Sequence, residues 1–184
     1  MEKQQESLSP EERNAILDRV EKKASEYMRR YGGCGQCCLL ALQEELKLPG
    51  GRDAVKAAGF TNLGIALMGS TCGALLGCIM AMGLACGRDN LDDPKYPSPE
   101  IVDDVYQLPK SLMTIRGFCF RFIQELGSPN CRDLQVRLFG RSFDTCVMDE
   151  EEKFLLAGGH FKCVELVGKA ARLAAEAILD LPRR

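Results

Sequence analysis

The sequence has no tryptophan, one histidine and no excess of either charge. With 24 Lys and Arg against 26 Asp and Glu, and no Lys/Arg cluster, it lacks the electrostatic footprint of a general nucleic-acid binder. Low net charge with 46% hydrophobic residues excludes intrinsic disorder. The opening residues, MEKQQESLSPEER, have neither an apolar core nor a small-residue cleavage site, so a cytoplasmic protein is expected. A Ser-His-Asp triad has no supporting signature. Covalent haem needs CxxCH, and Cys34-Gly35-Gln36-Cys37-Cys38 lacks the histidine, which excludes c-type haem at that motif.

Cysteine, by contrast, is abundant: ten residues of 184. That is about 5%, short of the ~8–10% of a small disulfide scaffold. A chain of this length buries about 70% of its unfolded surface and builds a core without staples, so residues 1–184 are expected to form one helical domain. In a reducing compartment such thiols bind metal, catalyse or sense redox state more often than they cross-link.

From Gly59 to Gly87 no residue is charged, enclosing the run CGALLGCIMAMGLAC. Its length permits a membrane span. The polar Thr61, Asn62, Ser70 and Thr71, and the absence of aromatic or basic flanks, favour a buried central helix from Thr71 to Cys86 instead. Gly69, Gly73 and Gly77 recur every four residues, a ridge that admits a close neighbour or a buried cofactor.

Around that helix the pattern is helical throughout. Ser9, Pro10 and Glu12 form a capping box, and Ile16, Val20, Ala24, Tyr27 and Tyr31 follow at helical spacing. A second helix runs from Cys34 to Leu48, a short one from Asp53 to Ala58, and Gly59–Ser70 is expected to be irregular. Arg88–Pro99 reads as a loop, Ser98-Pro99 restarts a helix interrupted near Pro109, and it resumes through Ile115, Phe118 and Phe122 to Gly127. Cys131 starts a short helix, Cys146 and Asp149–Glu152 fall in an irregular stretch, and Val164, Val167, Ala171, Ala174, Ile178 and Leu181 mark the last helix. The fold class is all-α, a bundle of about five to seven helices.

Only Cys34 and Cys37 make a CxxC, a weak zinc-ribbon signal, although Cys34 shares a helix face with Cys37 and Cys38. Cys78, Cys86 and Cys119 read as core packing, because buried thiols behave as small hydrophobes. Cys34, Cys72, Cys131 and Cys163 each fall at a predicted helix N-terminus, where unsatisfied amides lower a thiol pKa. Four such residues can converge at one end of a bundle. His160, three residues before Cys163, reads as a polar residue leading into a helix, with ligand or thiol-activating base as the alternative.

The order Cys34, Cys72-Gly73-Ala74-Leu75-Leu76-Gly77, Cys131-Arg132-Asp133-Leu134 and Cys163, with the MAMGLACG exit, resembles the C-GCAxxG-C-C family, described as redox-active. The likeness covers about residues 20 to 180. It implies a small helical protein with functional cysteines at Cys34, Cys72, Cys131 and Cys163; Gly73 and Gly77, from their spacing, are expected at the cofactor as well. Split-Soret cytochromes are similar at greater distance and carry haem and an iron–sulfur centre; this chain lacks the haem motif. The favoured expectation is an electron-transfer protein with a [2Fe–2S] cluster on those four thiolates, Cys37, Cys38 and Cys146 in reserve. The alternatives are a metal-free thiol oxidoreductase acting through Cys34 and Cys72, and a structural or partner-binding module whose cysteines pack or hold zinc. A redox partner protein is expected, and a homodimer is an option; nucleic acid and membrane are not.

Overall fold

The computed structural model describes residues 8–90 and 110–181. Among them are eight helices and no strand: α1 (Pro10–Tyr31), α2 (Cys34–Leu46), α3 (Gly51–Ala57), α4 (Gly73–Cys86), α5 (Lys110–Leu126), α6 (Cys131–Phe139), α7 (Met148–Leu156) and α8 (Gly159–Leu179). The all-α class is as expected, with one helix more than the range foreseen. The restart at Ser98-Pro99 and the interruption at Pro109 lie outside the described residues.

α1 begins as its sequence dictates. Ser9 Oγ accepts the Glu12 amide, and Glu12 accepts the Ser9 amide in return. Its face of Leu17, Val20 and Ala24 packs along α8, where Val167, Ala170, Ala171 and Ala174 are buried. The two helices are antiparallel: Arg13 bonds Glu176 and Asp180, Arg172 bonds Asp18 and Glu21, and Ser25 Oγ donates to the Val164 carbonyl. Gly168 lets the axes close, since a side chain there would strike Ser25 and the Glu21 backbone.

α4 carries no charge and is apolar on every side, so it belongs at the centre, against α2 and α8. At 14 residues it falls short of the ~20 a membrane requires. Among the described residues no helix is long and apolar enough to cross a membrane. The expected three-glycine ridge shrinks to two, because Gly69 lies outside α4 in a left-handed turn. A Cβ on Gly77 would overlap the Gly35 backbone, and one on Gly35 would come within 2.8 Å of the Gly73 carbonyl. Glycines on both helices therefore set the α2–α4 approach.

One expectation about the elements is corrected. Asp149–Glu152 are not irregular: they open α7, where acidic side chains offset the positive end of the helix dipole. Gly59–Ser70 holds no helix or strand, as expected, but its backbone is unusual. Leu63, Gly64, Ile65, Ala66 and Leu67 all have positive φ, from 48° to 77°, so the chain turns through the left-handed region. Amides of Ala66, Leu67, Gly69 and Ser70 bond back to carbonyls of Phe60, Asn62, Leu63 and Gly64.

Candidate functional site

The left-handed turn delivers its chain to a clasp. Thr71 pairs antiparallel with Asn130, the Cys72 amide donates to the Pro129 carbonyl at 2.7 Å, and the Cys131 amide to the Ser70 carbonyl at 2.6 Å. Cys72 and Cys131, 59 positions apart in sequence, thereby start α4 and α6 side by side. Cys34 opens α2 after Gly32 and Gly33, both at positive φ. Gly73 is required beside it, because a Cβ there would overlap Cys34 Sγ; a Cβ on Gly64 would come within 2.7 Å of the Cys131 Cβ. Cys163 departs from expectation: α8 begins at Gly159, which places this cysteine one turn inside the helix.

All four cysteines line one cavity of about 200 Å³. Its walls are apolar, built from Met28, Leu63, Leu67, Leu134, Leu138, Phe154, Leu166 and Val167, and two carboxamides, Asn62 and Gln135, also line it. Gln135 Nε2 donates to Cys131 Sγ at 3.7 Å. Asn62 Oδ1 is buried without a hydrogen-bond partner among the described residues. Neither amide was anticipated from sequence. Gln135 had a signal, standing one helical turn after Cys131, whereas Asn62 read only as a polar interruption.

Burial, not helix position, governs the four thiols, contrary to the lowered pKa expected of them. Desolvation pushes Cys131 up to about 11 and Cys163 up to about 12, with neighbouring thiols adding to both. Cys34 is raised by burial against the pull of the Leu63 amide, and Cys72 is raised well above the ordinary thiol range by burial and the Cys34 thiol. The amides of Leu75 and Ala74 at the start of α4 oppose that rise without overcoming it. The quartet is therefore protonated at neutral pH unless a cation replaces the protons.

The remaining cysteines lie elsewhere. Cys37 Sγ donates to the Gly32 carbonyl at 2.8 Å and is pushed up to about 12, chiefly by burial. Cys38 Sγ donates to the Val167 carbonyl at 3.6 Å and abuts Cys78, both fully buried. Cys86 is buried on α4, Cys119 half-buried on α5, and Cys146 exposed ahead of α7. None of the six lines the cavity. His160 falls in the first turn of α8, and its side chain lies outside the described residues. Among those residues, no group of three or more His, Cys, Asp or Glu side chains is arranged to hold a metal ion.

An uncharacterized protein of Archaeoglobus fulgidus is 27% identical over 165 residues, which is 89% of this chain and 95% of its own length. No solved structure matches the chain. The family described as "Putative redox-active protein (C_GCAxxG_C_C)" matches residues 33–177, a span that contains all four cavity cysteines. On that match the chain belongs to the C_GCAxxG_C_C family.

Proposed function

We propose that Cys34, Cys72, Cys131 and Cys163 hold an iron–sulfur cluster and that the protein carries electrons to or from a redox partner protein. The observation that supports this is the convergence of four thiols from four helices on one small cavity. Small-molecule pockets run roughly 300–1,000 Å³, so about 200 Å³ suits a compact inorganic centre better than an organic cofactor. Four thiolates complete the ligand set of a [2Fe–2S] centre, which would supply one-electron chemistry when bound. The chain's own residues do the rest. Apolar walls exclude water, the Leu63 amide faces Cys34 Sγ, and the Gln135 side-chain amide offers a hydrogen bond to sulfur.

The metal-free thiol reading draws on the same cavity, with Cys34 and Cys72 as the reacting pair. Raised thiol pKa values weigh against it, since the thiolate is the nucleophile. Protein purified without oxygen and analysed for visible absorbance, iron and acid-labile sulfide decides between them. Coloured protein with iron and sulfide in equal amounts is expected. Colourless, iron-free protein whose Cys34 or Cys72 alkylates quickly near neutral pH would put the thiol oxidoreductase in its place; slow thiols with stoichiometric zinc would leave the structural role.

A further inference from the structure

Gln135 is only 4% exposed, and a carboxamide so deeply buried must satisfy both of its ends. Its Oε1 accepts the Phe143 amide at 2.8 Å, and its Nε2 donates to Cys131 Sγ at 3.7 Å. A backbone N–H can only donate, so the first bond fixes which end of the carboxamide is oxygen and leaves the nitrogen aimed at sulfur. Phe143 is itself held in place: its ring meets Phe139 and Phe154 edge-on, with centroids 5.8 and 5.6 Å away. Gln135 and Cys131 both line the cavity.

We infer that Gln135 is a positioning residue that holds Cys131 Sγ through an N–H···S hydrogen bond and tunes the electron affinity of whatever that sulfur belongs to. The inference rests on the proposed cluster site and deepens it by assigning the group that adjusts it. A hydrogen bond to an ionised partner is roughly twice as strong as a neutral one, so the donor favours the reduced, more negative state. Removing it makes reduction harder.

Two measurements test this. In reduced, metal-free protein carrying isotope-labelled glutamine, the Gln135 side-chain amide signal should shift in Cys131→Ala and stay in place in Cys119→Ala. In iron-loaded protein, Gln135→Met should lower the reduction equilibrium constant about tenfold, 59 mV for one electron. Gln135→Glu, which keeps an acceptor for the Phe143 amide, should lower it at least as far. A Gln135 signal indifferent to Cys131→Ala overturns the inference, as do midpoints of both variants within about twofold of wild type in that constant. A purely structural glutamine would lower the melting temperature and move neither readout. Protein that takes up no iron defeats the cluster reading alone, and the amide signal then decides the role of Gln135.

Discussion

A thiol at a helix N-terminus feels two opposing influences: amide dipoles that favour the anion, and loss of water that disfavours it. At Cys34 and Cys72 both are present and burial wins. The sign of the pH dependence follows. In reduced, metal-free protein Cys131 and Cys163 keep their protons to about 11 and 12, whereas the ordinary thiol value is 9.0. The unfolded chain therefore ionises first as pH rises, so these thiols contribute stability fully below pH 9 and lose it as pH climbs through the folded values. Thermal melts should hold a constant Tm up to about pH 8 and fall from about pH 9 to 11; a rise across that interval contradicts the assignment. Cys72→Ser and Cys163→Ser should bleach the anaerobic protein, and Cys119→Ala should keep its colour at a cavity cost of about 1 kcal/mol. Equal bleaching by all three would remove the distinction between cavity and packing thiols. The four positions were legible in the sequence because each follows a helix-start signal or its near equivalent. Their protonation was not, since desolvation depends on walls such as Leu134 and Leu166 that come from distant segments.

Helices with familiar signals were read correctly, α1 from its capping box and α8 from its apolar periodicity. α7 is not legible because its acidic run looks like a solvated loop until its place at a helix start is known; the irregularity of Gly59–Ser70 is legible, but its hand is not, because Leu63, Ile65, Ala66 and Leu67 carry no left-handed signature. A left-handed conformation costs roughly 1–2 kcal/mol per non-glycine residue. Ala66→Gly, at an exposed position, should therefore raise stability by about 0.5–1 kcal/mol after glycine's greater chain entropy is counted, measured by denaturant unfolding. A loss of stability would contradict the turn. Gly77→Leu should abolish the cooperative unfolding transition, since the side chain would have to occupy the Gly35 backbone. Gly83→Ala, on the same helix with open space around it, should gain up to about 1 kcal/mol. Native-like melts of Gly77→Leu would show that α2 and α4 can separate.

Across the whole molecule, α1, α2, α4 and α8 form a core around mutually buried apolar faces, while α6 and α7 sit at its edge with their own cluster of Phe139, Phe143 and Phe154. The cavity lies where these parts meet, lined by residues of α1, α2, α6, α7 and α8, by the left-handed turn and by Cys72 at the start of α4. Such a junction has a history in time as well as a place. Helices with local signals form early, because closing short loops sacrifices little entropy. A turn of the wrong hand gains nothing until α2, α4 and α6 are present to hold it, so Leu63–Leu67 is expected to form in the final steps of folding. Stabilisation acquired after the transition state slows unfolding and leaves refolding unchanged, the kinetic signature expected of Ala66→Gly. If Ala66→Gly shows that signature, the helices are built while the sulfur site is still open, and a cofactor would meet its ligands during that interval rather than by breaking into the finished fold.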